Sequence, residues 1–181
     1  MLIDDFLPHF DFSETHAIAI RAPANVILDC VERQSAQDDP FVRLAIRLRE
    51  LPTRILGGSN RPPLDLRDFT RLGRDADRSL AFGLIGAFWR PDYGLVDVPD
   101  VAAFRADDTP GVCRLVMSFE ISANADGEHV LTTHTRVHCP TPELRGKFAP
   151  YWFLIRPVSG LIRRRMLARI RRQAQGVAAL T

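Results

Sequence analysis

Alternation marks the first element of this chain. His16, Ile18 and Ile20 fall on one side and Ala17 and Ala19 on the other, which predicts a short strand ending at Ala22-Pro23. Pro23 suits a first helical turn, and Ala24, Val26, Ile27, Cys30 and Val31 predict a helix behind it. A second short helix is expected from Asp38/Asp39-Pro40, with Phe41, Leu44, Ala45 and Leu48 inward and Pro52 as its stop. Gly57 to Pro63 reads as a loop, Leu66 to Leu72 as a strand, and Arg74 to Asp77 as a turn. Ser79 to Trp89 is apolar on both faces, which suits a central strand, and Gly83 and Gly86 inside it remove side-chain volume from the sheet floor. Val101 to Ala106 reads as a further strand.

The next segment predicts a hairpin with a defined register. Leu115, Met117, Phe119 and Ile121 share one face, and Arg114, Ser118 and Glu120 the other. A three-residue loop, Ala125-Asp126-Gly127, needs Gly127 in a left-handed conformation. It would pair Phe119 with Thr133, Met117 with Thr135 and Leu115 with Val137, so that turn chemistry and apolar pattern agree. Thr141-Pro142 then supplies a cap and a first helical proline. Leu144, Phe148, Tyr151, Trp152 and Ile155 follow at helical spacing, and Leu161, Ile162, Met166, Leu167 and Ile170 continue the stripe. One long helix is expected, kinked or broken near Pro157, with Ser159 available to cap a new start.

Charge changes the picture of that helix. Residues 141–181 hold nine Arg or Lys and one acidic residue, Glu143, whereas the other 140 residues hold fifteen basic and twenty-one acidic ones. The net charge of +2 thus hides a basic C-terminal helix beside an acidic body. The 181 residues are read as one domain, 1–181. Three dispersed cysteines, Cys30, Cys113 and Cys139, form neither a disulfide framework nor a zinc motif and point to a reducing compartment. The acidic start MLIDDFLPHFDF lacks the layout of a secretion signal. No apolar run nears the ~20 residues of a membrane span, so a cytoplasmic protein is expected.

The order strand, two short helices, antiparallel strands and a long C-terminal helix resembles the helix-grip fold of the START-like (SRPBCC, Bet v 1-type) superfamily. The opening IAIRAPANVILDCV resembles how many members begin. LAFGLIGAFWRP at Leu80–Pro91, THTRVHCP at Thr133–Pro140 and FAPYWFLIRPVSGLIRRRML at Phe148–Leu167 resemble a bacterial branch of it, in which an acidic residue commonly stands where this chain has His134. The resemblance implies an α+β fold: a curved antiparallel sheet wrapped around a long C-terminal helix, with a cavity between them. It implies no particular chemistry, since members include lipid and hormone carriers, ligand-gated receptors, and aromatases and cyclases.

Several residues are candidate sites. His134, Arg136 and His138 share a strand face with Glu120 on the neighbouring strand. His134 and His138 stand about 13 Å apart, too far for one zinc with bonds of ~2 Å. That face, opposite the apolar one, reads as a solvated exterior. His16 reads as a hydrogen-bonded structural histidine rather than a catalytic base. His9 and His129 have no obvious partner. Gly83-Leu84-Ile85-Gly86 matches the GxxG string of RNA-binding loops but lies in an apolar strand. No GxGxxG, P-loop, GxSxG or HExxH is present. The ligand-binding set is expected to be Phe88, Met117, Phe119, Thr133, Thr135, Phe148, Trp152 and Ile155, apolar with a few polar anchors, as small-molecule sites usually are. Arg165, Arg169 and Arg172 share a helix face that suits a weak contact with an anionic membrane. Nucleic acid is not expected as a partner.

The function expected is non-catalytic binding of a hydrophobic small molecule, such as a lipid, isoprenoid or polyketide-like compound, with no cofactor, metal or catalytic residue. The alternatives are a cyclase or dehydratase of the same fold, and peripheral membrane association through the arginine-rich helix. The enzyme needs a titratable side chain facing the cavity, and the hairpin provides none.

Overall fold

The computed structural model describes residues 1–33, 68–124 and 126–179. The helix expected at 38–52 and the loop at 57–63 lie outside them. The described residues form strands β1 (Phe12–Ile20), β2 (Thr70–Asp75), β3 (Ser79–Gly86), β4 (Cys113–Ala123) and β5 (His129–His138). Helix α1 is Ala24–Glu32, α2 is Val101–Ala106 and α3 is Pro142–Ala178; a 3-10 turn, Leu2–Asp5, precedes β1. The strands make one antiparallel sheet in the order β1-β5-β4-β3-β2. The protein is therefore α+β, with a five-stranded antiparallel sheet and a long C-terminal helix.

The hairpin register is the one that loop and pattern dictate. Phe119 pairs with Thr133, Met117 with Thr135 and Leu115 with Val137. Asn124 N–H donates to Glu128 C=O at 2.9 Å, and Gly127 adopts φ +74°, where only glycine is unstrained. The inner face extends outward from this hairpin. His16 lies beside Thr133 and Glu14 beside Thr135 on one flank, and Leu80 beside Phe119 and Phe82 beside Met117 on the other.

Two apolar clusters occupy the inner side. Ile27, Leu28 and Val31 of α1 join Leu167, Ile170 and Ala174 of α3 with Leu80, Phe82, Met117, Phe119 and Leu131 of the sheet. Leu144, Phe148 and Trp152 of α3 join Leu84, Phe88, Cys113 and Val137 at the opposite end. The helix packs chiefly on β1 and α1.

Four expectations about the fold need correction. Val101–Ala106 is a helix, because Asp100 accepts a hydrogen bond from Ala103 N–H at 2.8 Å and the spacing of Val101 and Phe104 puts both on the sheet side. The strand read at Leu66–Leu72 is displaced toward the C-terminus: it runs Thr70–Asp75, and its turn occupies residues 76–78. The single long helix is present, but of the kink or break expected near Pro157 the break does not occur, since α3 is continuous from Pro142 to Ala178 through both Pro150 and Pro157.

The fourth correction concerns the outer face, which is covered over β2, β3 and β4 although Ser13, Thr15 and Ala17 of β1 stay exposed on it. Ile3 and Leu7 from the N-terminal segment, with Phe104 of α2, cover Leu72, Ala81, Ile85 and Val116. Ser118 is fully buried there, and the side chains of Glu120 and His134 are only 21% and 20% exposed. Gly83 belongs to this layer. A Cβ at Gly83 would lie 2.5 Å from Phe104 and 2.9 Å from Leu72, and one at Gly86 would lie 2.8 Å from the Tyr93 carbonyl. The volume these glycines release is taken by α2 and by the loop after β3, not left open to a ligand.

Candidate functional site

Between the two inner clusters the sheet–helix interface turns polar. The strand period places Glu14 and His16 of β1 on the inner face, directly beside Thr135 and Thr133 of β5. Glu14 Oε1 stands 3.0 Å from His16 Nε2, and these side chains are 10% and 14% exposed. Gly160 of α3 closes over them. A Cβ there would come within 3.1 Å of Glu14 Oε1 and 3.6 Å of His16 Nε2, so glycine sets how near the helix backbone lies to the pair. One turn further along, Arg163 reaches across β5 and donates to Met117 Sδ.

Two atoms in this set lack hydrogen-bond partners among the described residues: Thr133 Oγ1 and His16 Nε2. For His16 the short distance to Glu14 and the absence of a hydrogen bond are both true. The carboxylate is near enough for an ionic contact but lies off the hydrogen-bonding direction of the ring nitrogen. Buried polar atoms without partners are rare and costly. A carboxylate, an imidazole and a hydroxyl can together donate to and accept from one polar group, or hold a proton between them. They supply two metal-type ligands, and among the described residues no group of three or more His, Cys, Asp or Glu is placed to hold a metal.

All eight residues expected to bind ligand are buried, but they are not one lining. Phe88, Phe148 and Trp152 belong to the end cluster, where the Phe148 ring packs against Phe12, Phe88, Trp89, Tyr151 and Trp152 at 5.0–6.4 Å. Met117 and Phe119 belong to the α1 cluster. Thr133 and Thr135 stand with the polar set, and Ile155 is buried on α3. Two surface hollows lie elsewhere. One of about 360 Å³ is lined by Asp5, Asp75, Arg78 and Glu120 among others, and one of about 220 Å³ by Thr70, Leu84 and Val96 among others. None of the eight expected residues borders either.

Glu14 is the site residue that the sequence pattern missed. Starting β1 at His16 left it in the preceding coil. The longer alternation Phe12, Glu14, His16, Ile18, Ile20 was the available signal, obscured because a carboxylate in an alternating strand ordinarily reads as solvent-facing.

Other groups differ from expectation. His129 Nδ1 lies 2.9 Å from the Ala22 carbonyl oxygen, so it has a partner. Cys113 and Cys139, 26 residues apart, meet with their sulfurs at 2.8 Å, both buried and unbridged. That contact, followed by burial, pushes the Cys113 thiol far above its usual pKa.

On the outer face, burial raises the Glu120 pKa; Asp4 adds to the shift, while the N-terminal amine and Arg136 oppose it. Burial, then Arg136, lowers the pKa of His134. Arg136 itself donates to Asp4 at 2.7 Å and to the Leu7 carbonyl at 3.0 Å, tying the N-terminal segment down.

Compared with models of known protein families the chain matches none, and a search of curated proteins returns no match. No helix among the described residues is long and apolar enough to cross a membrane.

Proposed function

We propose that this protein is a START-like helix-grip protein that binds a mainly apolar small molecule between sheet and α3, oriented by His16, Glu14 and Thr133. The observation that carries this reading is the Thr133 hydroxyl. It is 1% exposed and unpartnered among the described residues, in the polar stretch between two apolar clusters. A bound ligand with one polar group would satisfy it and His16 Nε2 together, while apolar contacts supply the affinity at roughly 25 cal/mol per Å². Element order supports the fold: a strand, a helix, an antiparallel sheet, then a helix of 37 residues lying on the first strand. A cytoplasmic setting belongs to the proposal, because three buried, unbridged thiols suit reducing surroundings.

Native mass spectrometry of the purified chain is the test. A co-purifying small molecule should be seen, and Thr133→Val combined with His16→Leu should reduce its occupancy. A parent protein that carries nothing, and takes up nothing from a lipid extract, would overturn the reading.

One observation favours an enzyme as a second reading. The hairpin places no titratable group inward, but β1 places two, 3.0 Å apart. An imidazole backed by a carboxylate is suited to general acid–base steps of the cyclase or dehydratase type. In that case Glu14→Gln should abolish turnover of a polyketide-like substrate while lowering its affinity far less, because apolar contacts supply most of the binding. Unchanged turnover in that variant would remove the enzyme reading.

A further inference from the structure

The outward face of α3 presents apolar and cationic side chains together. Phe153 is 64% exposed, Leu154 63% and Leu161 44%, and Pro157 between them is also exposed. Exposed large apolar residues scattered singly are ordinary, but a contiguous group on one element is not. At 100° per residue, these four share an arc of about 120° with Arg164, Arg165, Arg171 and Arg172. All four arginines are exposed. From Leu144 to Ala178 the helix has no acidic residue, so nothing on α3 itself offsets them. The stretch from Phe153 to Arg172 covers about 29 Å of helix, with its apolar part toward one end and its arginines toward the other.

We infer that this face of α3 is a docking surface for an anionic lipid bilayer. Amphipathic surface helices of this kind sink aromatic and aliphatic residues to the acyl boundary, while arginines engage lipid phosphates and the negative surface potential. Charge selects this occupant over a second copy of the chain. A two-fold contact through the same face would set the arginines of two parallel helices against one another, where like charges repel, or, with the helices antiparallel, would cover each arginine set with apolar side chains that offer no anion. The surface is distinct from the Glu14–His16–Thr133 set, which α3 covers at Gly160, a buried position just outside this arc. The inference therefore stands whether or not a small molecule binds there. It also alters the sequence expectation: Arg169 is half-buried and turned toward the flank, whereas Arg164 and Arg171 join the contact, with Phe153, Leu154 and Leu161 as its apolar part.

The test is flotation of the full chain with vesicles of phosphatidylcholine alone or of equal parts phosphatidylcholine and phosphatidylglycerol. The protein should float with the anionic vesicles only, and raised salt should weaken its binding. The double variant Phe153→Ser, Leu154→Ser alters only exposed side chains, so its melting temperature should match the parent while its partition coefficient falls at least about tenfold. Replacing Arg164, Arg171 and Arg172 by Gln should lower partition about fivefold per arginine. A parent that stays unbound on anionic vesicles, or binds both kinds equally, overturns the inference. So does a folded serine variant that binds like the parent, or a parent dimer that the serine substitutions dissociate.

Discussion

A hydroxyl sealed from water with no partner costs about 1–3 kcal/mol, and among the described residues the Thr133 Oγ1 atom has none. Valine has nearly the same shape without the oxygen. In ligand-free protein, Thr133→Val should therefore raise the free energy of unfolding by about 1 kcal/mol, measured by urea titration. A loss of stability would mean that the hydroxyl is satisfied in the native state. Glu120 makes a pH-dependent case. Burial raises its pKa, so the folded state prefers the protonated acid, and Glu120's contribution is favourable in acid and lost as pH rises through the raised value. Glu120→Gln should then be more stable than the parent at about pH 7, with the difference closing near pH 4. Among single residues, those whose role follows from alternation were legible in the sequence: Thr133 and Thr135 were placed inward beside Phe119 and Met117, and the sheet puts them there. Glu120 and His134 were read as solvated because alternation tells which residues share a face, not what covers that face. The cover of that face, Ile3, Leu7 and Phe104 over Leu72, Ala81, Ile85 and Val116, comes from segments remote in sequence.

Elements carry their own signals, and competing ones decide the misreadings. Val101–Ala106 has the mixed apolar pattern of a strand. Asp100 decides for the helix, by capping Ala103 N–H. Asp100→Ala should cost about 1 kcal/mol through loss of that cap, read by thermal or urea unfolding. It should also loosen α2, whose Phe104 fills the space above Gly83. In α3 the proline signal misled in the other direction. A proline deprives the helix of a hydrogen bond and crowds the preceding turn, which predicts a break. Tertiary packing overrides that local preference: Trp152, Ile155 and Gly160 on either side of Pro157 are all buried toward the sheet, so the element is held along its length. Pro157 is itself exposed. Pro157→Ala should thus restore a backbone bond without disturbing a contact, and stabilise the protein by up to about 3 kcal/mol in urea unfolding.

At the scale of the molecule, the sheet order joins groups that the sequence keeps apart. Three dispersed cysteines gave no sign of pairing, yet β4 and the end of β5 bring Cys113 and Cys139 into contact inside the end cluster. Burial and the raised Cys113 pKa both suppress the reactive thiolate. In native protein at about pH 8, iodoacetamide should label neither of these two cysteines. Both should become labelled together, at a rate that follows global unfolding across a urea series and is read by intact mass. Fast labelling of one alone would show a local opening at that end of the sheet. The α+β class and the hairpin were legible because they depend on local periods and turn residues. The layer on the outer face was not, because no local pattern reports a contact between residue 3 and residue 116.

The pairing of β1 has a consequence for biosynthesis. Its strand partner is β5, and the helix lying on it is α3, so the earliest strand waits for the latest elements. A nascent chain that has emerged only through β4 holds Phe12 to Ile20 with neither its hydrogen-bonding neighbour nor its cover. Contacts spanning more than a hundred residues slow folding, and an unpaired alternating strand is a template for intermolecular pairing. The completed sheet therefore forms after synthesis has passed His138, and the interval before that is when a chaperone would have most to hold.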